Sequence, residues 1–337
     1  MYMQVLPAQA QGFASGFNHS KMDHMKKLFF CCCCFLLLHP SACPAQTVES
    51  GYAYISIGKS SVKSEPKSNT LFPVDVDSPL PLKARANFNR FALIIGNENY
   101  ADYGHGLSNT EYAIRDAESF RMYAVSLLGI PEENIFFRTD VSAGTMEGLL
   151  KRFVQGASMA EGKPELFIYY SGHGMPGAQD GESFLLPVDA DLISLESSLS
   201  LRRLMTDIAS TPASRIVLFL DACFSGAGRS GNVLLSSRGV GYLPSPSAVL
   251  ERTVVFSAGT ARQPALCYRE AEHGLFTYCL LKSLRYNGRG LQLGALVDEV
   301  SREVEAASIR INGSVQKPSL RSGFDVRTEW HSWKIKD

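Results

Sequence analysis

The chain has 337 residues, 45% of them hydrophobic, which is enough to bury a sizeable core and fits one large domain with extensions. Its 33 basic and 33 acidic residues cancel, so no net charge draws the whole molecule to nucleic acid or to an anionic membrane. The sequence has no glycine-rich phosphate loop followed by Lys, no pair of Cys-x-x-Cys motifs and no His-Glu-x-x-His.

The N-terminal region reads as processing information. Met25-Lys26-Lys27 opens a basic stretch, residues 28–38 are apolar, and Ser41-Ala42-Cys43-Pro44-Ala45 is a run of small residues. This order predicts a secretory signal cleaved after Ala45, hence an exported protein, periplasmic or extracellular. The apolar run is shorter than the roughly 20 residues that a membrane span needs, so no transmembrane span is expected. Pro40-Ser41-Ala42-Cys43 also resembles a bacterial lipoprotein box with Pro in place of Leu, which makes acylation at Cys43 the second expectation. Residues 1–24 would precede a normal signal and point to Met25 as the translation start. Loss of residues 1–45 leaves Cys223, Cys267 and Cys279 of the eight cysteines, which is no disulfide framework, and Cys279 falls in an apolar helical pattern.

Residues 46–88 are polar, with scattered Ser and Pro and little periodicity, and read as a linker or pro-segment. From Phe91 strand and helix patterns alternate. A strand is predicted near 90–96, a helix near 110–128, a strand at 134–137 and a helix from about 144. The apolar runs 166–170 and 216–220 read as fully buried parallel strands, with a helix near 200–210 between them. Residues 253–257 supply a further strand, and 274–286 and 291–307 supply helices. Such alternation predicts an α/β fold, an open, mostly parallel sheet with helices on both faces. Residues 227–250 are rich in Gly, Ser and Pro and read as a surface loop containing Arg229 and Arg238.

The two buried strands end at Ser171-Gly172-His173-Gly174 and Asp221-Ala222-Cys223-Phe224-Ser225-Gly226. Chemistry in an open α/β sheet sits beyond the carboxyl ends of its strands, and adjacent parallel strands would bring His173 and Cys223 to one edge. The thiolate is the nucleophile, and a neighbouring imidazole takes or balances its proton. Either residue alone would more often be structural, whereas two glycine-flanked strand ends in this order point to nucleophilic catalysis. The amides of Gly174 and Cys223 are the oxyanion-hole candidates, because the glycines let backbone N–H groups approach closely. His105 reads as a loop residue.

At these residues the chain resembles the caspase-like cysteine peptidases, above all the metacaspases and bacterial caspase-like proteins with S-G-H-G and D-x-C-x-S-G. The likeness extends from Phe91–Asn97 through Arg115-Asp116-Ala117, Leu186–Ala190 and His273–Tyr278 to Gln316-Lys317-Pro318, about two thirds of the chain. It implies a peptidase domain over 89–325 with a C-terminal tail over 326–337. It also implies a preference for Arg or Lys before the scissile bond, received by an acidic pocket whose matching positions are Asp116, Asp221 and Ser171. The alternatives are that Asp221 only bonds its own turn and that Asp116 lies on a solvated helix face. His273 resembles a position beside the substrate cleft. Metacaspases often need calcium, but Phe224–Ser230 carries no carboxylate, and Asp180, Glu182, Asp189 and Asp191 are few for an ion that takes six to eight oxygens. No cofactor is expected, and calcium is the one alternative.

The sequence therefore predicts a cysteine endopeptidase acting on proteins or peptides, with self-cleavage in the 227–250 loop or at Lys59, Lys63 or Lys67. A catalytically silent caspase-like binding module is one rival. A thiol hydrolase or transpeptidase acting on a non-protein amide is the other. Nothing in the sequence indicates an oligomeric state.

Overall fold

The computed structural model describes residues 76–80, 84–177, 182–191, 194–224, 251–259 and 265–336. The signal region, the linker up to residue 75 and the 225–250 loop lie outside the described residues, as do Asp180 and the linker lysines. In chain order the elements are β1 (Arg90–Gly96), α1 (Ala113–Ser126), β2 (Ile135–Thr139), α2 (Ala143–Ser158), β3 (Glu165–Pro176), β4 (Ser183–Leu185), β5 (Leu199–Ser200), α3 (Leu201–Ala209), β6 (Arg215–Cys223), β7 (Thr253–Ser257), β8 (Cys267–Tyr268), β9 (His273–Gly274), α4 (Leu275–Tyr286), α5 (Leu293–Asn312) and β10 (Ser319–Ser322). The main sheet runs β10-β7-β6-β3-β1-β2, with β4 and β5 added beside the end of β3 and a separate β8–β9 pair. Pairings from β7 through β2 are parallel, and β10 and the β4–β5 ribbon are antiparallel.

The fold class expected from the sequence is the one observed. Alternate residues of each central strand enter different cores, because helices cover both faces. Ala92 and Ile94 of β1, Phe167 and Tyr169 of β3, and Val217 and Phe219 of β6 pack with Phe120 of α1 and Leu280 of α4. Their neighbours Leu93, Ile95, Leu166, Ile168, Ile216 and Leu218 pack on the other face with Leu149 and Phe153 of α2 and Leu204 of α3. That is why these strands read as unbroken apolar runs rather than alternating ones.

An ionic row pins the register at the amino-terminal end of the sheet. Arg90, Glu165 and Arg215 are partners across β1, β3 and β6. The Glu165 carboxylate accepts from Arg90 Nε at 2.8 Å and from an Arg215 guanidinium nitrogen at 2.6 Å. Arg90 is buried and also donates to the Leu128 carbonyl at 2.6 Å, so its charge is fully accommodated only with Glu165 in place.

Both ends of the domain are packed down. Val76 is buried, and its carbonyl accepts from the Tyr123 hydroxyl at 2.8 Å. Trp330 and Ile335 are buried beyond α5, in the stretch read as a tail. No helix among the described residues is long and apolar enough to cross a membrane.

Removing Glu165 leaves a buried cation short of its anion, so Glu165→Ala should lower unfolding stability by about 3 kcal/mol. Urea denaturation checks this. An unchanged midpoint would mean that the row does not hold the register.

Candidate active site

Strand β3 continues through the Ser-Gly-His-Gly motif and β6 continues through Asp221 to Cys223, so His173 and Cys223 both lie on sheet. The parallel register pairs Ser171 with Asp221, Gly172 with Ala222 and His173 with Cys223. Paired residues of neighbouring strands sit about 4.8 Å apart and point to the same face. Following Tyr169 and Phe219 in steps of two, the side chains of Ser171, His173, Asp221 and Cys223 therefore share the face covered by α1 and α4.

Glycine is required here by close approach. A Cβ on Gly172 would stand 2.7 Å from the Tyr170 hydroxyl, and one on Gly174 would stand 2.7 Å from the Phe224 ring and 2.9 Å from the Cys223 carbonyl. A buried polar knot stands behind His173. The Tyr100 hydroxyl accepts from the His173 amide at 2.9 Å and donates to the Leu186 carbonyl at 3.0 Å. The Tyr170 hydroxyl lies 2.7 Å from the His173 carbonyl, and Asn97 Nδ2 donates to the Leu186 carbonyl at 2.9 Å. The Tyr100 ring packs against the imidazole with centroids 4.5 Å apart.

His173 Nε2 lies 2.7 Å from the Ser108 carbonyl. A carbonyl can only accept, so Nε2 carries the hydrogen, and in the neutral ring Nδ1 is the basic nitrogen. The Cys223 Sγ accepts from the Ala265 amide at 2.6 Å and lies 3.7 Å from the Ala265 carbonyl. Gln316 fixes this segment. Its Oε1 accepts from the Leu266 amide at 2.8 Å, and its Nε2 donates to the Ala258 carbonyl at 2.8 Å. Both His173 and Cys223 are buried.

The three acidic-pocket positions are brought together. The Ser171 hydroxyl donates to Asp116 Oδ2 at 3.1 Å, and Ser171 is the register partner of Asp221. Both carboxylates are fully buried, so Asp116 is not on a solvated helix face. Asp221 Oδ2 accepts from the Thr277 amide at 3.2 Å and the Thr277 hydroxyl at 2.6 Å, contacts with α4. That hydroxyl lies 2.6 Å from the Tyr169 hydroxyl.

His273 joins this group through both ring nitrogens. Nδ1 is 2.8 Å from Asp116 Oδ1, and Nε2 is 3.2 and 3.3 Å from the two carboxylate oxygens of Asp77. The Gly274 amide donates to both oxygens of Asp116, at 3.1 and 3.2 Å. Burial works against charge on His273, but the hydrogen bonds to Asp116 and Asp77 outweigh it and raise its pKa to about 9. Burial likewise works to raise the Asp77 carboxyl, yet hydrogen bonds from His273 and Ser119 hold it well below the usual carboxylate range. Sequence reasoning missed Ser108, Ala265, Thr277 and Asp77. Ser108 and Ala265 act through backbone groups that no side-chain pattern reveals.

Other candidates fall elsewhere. His105 is exposed in a loop, and Cys267 and Cys279 are buried. Desolvation pushes the Cys279 thiol up, as suits a core residue. Asp189 Oδ1 accepts from the Ala143 amide at 2.8 Å at the start of α2, and Glu182 lies 4.0 Å from Arg202. Among the described residues no group of three or more His, Cys, Asp or Glu side chains is arranged to hold a metal ion. A cavity of about 480 Å³ between α4 and α5, lined by Leu275, Cys279 and Ala307, contains none of the candidate site residues.

An open α/β sheet with an imidazole and a thiol in register at the carboxyl ends of adjacent strands defines a class of thiol hydrolases. The family model described as the caspase domain (Peptidase_C14) matches residues 89–326, well over half of the chain. The chain belongs to this family of cysteine peptidases. Among solved structures it is similar to caspase-1 from Spodoptera frugiperda, at 18% identity over 74% of this chain and 92% of that one, with a TM-score of 0.48. No curated protein matches it.

The His273 cluster makes stability depend on pH with a defined sign. A histidine whose pKa rises on folding stabilises fully below its unfolded value of 6.5 and loses that contribution as pH climbs through about 9. Wild-type protein should lose roughly 2–4 kcal/mol across that window, and His273→Gln should flatten the loss. Chemical denaturation at a series of pH values decides it, and identical slopes for the two proteins would contradict the charged bridge.

Proposed function

We propose that this chain is a cysteine endopeptidase that hydrolyses peptide bonds after Arg or Lys through Cys223 and His173. The observation that carries this reading is the register between β3 and β6, His173 with Cys223 and Ser171 with Asp221. Cys223 Sγ attacks the scissile carbonyl carbon while His173 Nδ1 takes the thiol proton. The resulting imidazolium gives that proton to the leaving amine, and water, deprotonated by the same nitrogen, then hydrolyses the thioester. The amides of Gly174 and Cys223 stabilise the developing oxyanion. The Ser108 carbonyl keeps the imidazole in the useful tautomer, and no step needs a cofactor.

Specificity follows from spacing along the strands. Ser171 and Asp221 stand two residues before His173 and Cys223, about 6.6 Å back along the same face. A Lys or Arg side chain next to the attacked carbonyl has the reach to meet Asp116 and Asp221 there. Its charge, taken from water, needs such carboxylate partners. The same preference would allow self-cleavage within 227–250 at Arg229 or Arg238, in a product exported by the signal region.

The test is cleavage of fluorogenic peptides ending in Arg, Lys or Asp by the chain from Gln46 onward. Cys223→Ala and His173→Ala should each cut turnover of Arg and Lys peptides by about a thousandfold or more. Asp116→Asn and Asp221→Asn should raise KM for those peptides by about thirtyfold. Cleavage only after Asp would discard the pocket. A complete lack of turnover, together with no labelling of Cys223 by thiol-directed peptide probes, would make the chain a silent binding module.

A further inference from the structure

We propose that His273 is a positioning residue for Asp116, held in place by Asp77, so that the segment ahead of the caspase domain completes the pocket for the basic side chain. The proposal rests on the reading that Asp116 receives that side chain. Its basis is the hydrogen-bond chain Asp77–His273–Asp116–Ser171, in which each ring nitrogen of His273 faces a carboxylate, Asp116 at 2.8 Å and Asp77 at 3.2 Å. A neutral imidazole has one N–H, so it would satisfy one carboxylate and turn a lone pair on the other. Only the doubly protonated ring serves both.

The arrangement answers an electrostatic problem in the pocket. Asp116 and Asp221 are both fully buried and flank Ser171, and buried carboxylates need partners for their charge. A cation on His273 faces Asp116 Oδ1 and leaves Oδ2 aimed at Ser171. Asp77 in turn keeps the ring charged.

Asp77 is itself held firmly. It accepts from the Ser119 hydroxyl at 2.5 Å and from Arg115 Nε at 2.9 Å. Its neighbours dock on the helices that cover the site: the Val76 carbonyl accepts from Tyr123 on α1, and the Ser78 carbonyl accepts from Arg285 on α4 at 2.9 Å. The charged groups around His273 are Asp116 from α1, Asp77 from the preceding segment and, one step further out, Arg115, which also pairs with Glu272. Asp77 lies before residue 89, outside the stretch that the caspase-domain model matches. The segment read from sequence as a linker or pro-segment thus supplies a group that the domain alone lacks.

The experiment uses the chain from Gln46 onward, with an arginine peptide because guanidinium keeps its charge throughout the pH range. Two quantities are followed from about pH 6 to 10: kcat and KM for the peptide, and the ring titration of His273 by NMR, assigned by its loss in His273→Gln. In wild type the ring should titrate near 9, and above that midpoint KM should rise about tenfold while kcat changes less than about threefold. Asp77→Asn should move both the titration and the KM rise at least about one pH unit lower, and Asp77→Glu should restore them. Ser119→Ala should shift both in the same direction by less, which keeps a test in hand if Asp77→Asn fails to fold. A wild-type ring that titrates near 6.5 overturns the proposal, as does a ring that shifts in Asp77→Asn while KM stays put. Turnover confined to Asp peptides overturns the pocket reading and this proposal with it. That outcome is told apart by a His273 titration that still stands in the same samples.

Discussion

Everything at this site depends on how β3 lies against β6. The strands are parallel and in register from Glu165 with Arg215 at one end to His173 with Cys223 at the other. A slip of one residue would turn every side chain of one strand to the opposite face. His173 and Cys223 would then point apart, and Ser171 would leave Asp221. Two features oppose such a slip. The Arg90–Glu165–Arg215 row charges heavily for any register that leaves a buried guanidinium unpaired. The two separate cores also bury alternate residues of β3 and β6, so a slip would exchange Phe167 and Tyr169 for residues shaped to the other core.

The carboxyl ends of these strands carry buried polar and charged groups. Buried carboxylates and a buried histidine are costly unless every charge meets a partner. Asp221 meets Thr277, and Asp116 meets Ser171, Gly274 and His273. The partners come from β3, β9 and α4, elements distant in sequence. These carboxylates are thereby bound into the hydrophobic assembly of the domain rather than carried on loops. The Ser108 carbonyl on His173 and the Ala265 amide on Cys223 fix the orientation of these two side chains in the same way, using backbone groups whose positions the fold determines.

Much of this was legible in the sequence. Strands with both faces buried leave unbroken apolar runs, so 166–170 and 216–220 could be read as neighbours, and the motifs at their ends marked His173 and Cys223. Less legible was where the strands stop. Gly172 and Gly174 look like turn residues, but close packing against Tyr170, Tyr100 and Phe224 requires them inside an extended strand. The short strands β4, β5 and β10 carry too few residues for a period to show, and β10, Ser-Leu-Arg-Ser, is half-buried at a sheet edge. The link from Asp77 to His273 spans 196 positions and joins a segment of linker-like composition to the domain, so only folding reveals it.

The most direct test of the account is a crystal structure of the chain inactivated by a peptidyl arginyl ketone that alkylates thiols. The account predicts a single covalent bond to Cys223 Sγ, with the guanidinium hydrogen-bonded to Asp116 and Asp221. An adduct on Cys267 or Cys279, or a Cys223 adduct whose guanidinium lies away from both carboxylates, would contradict it.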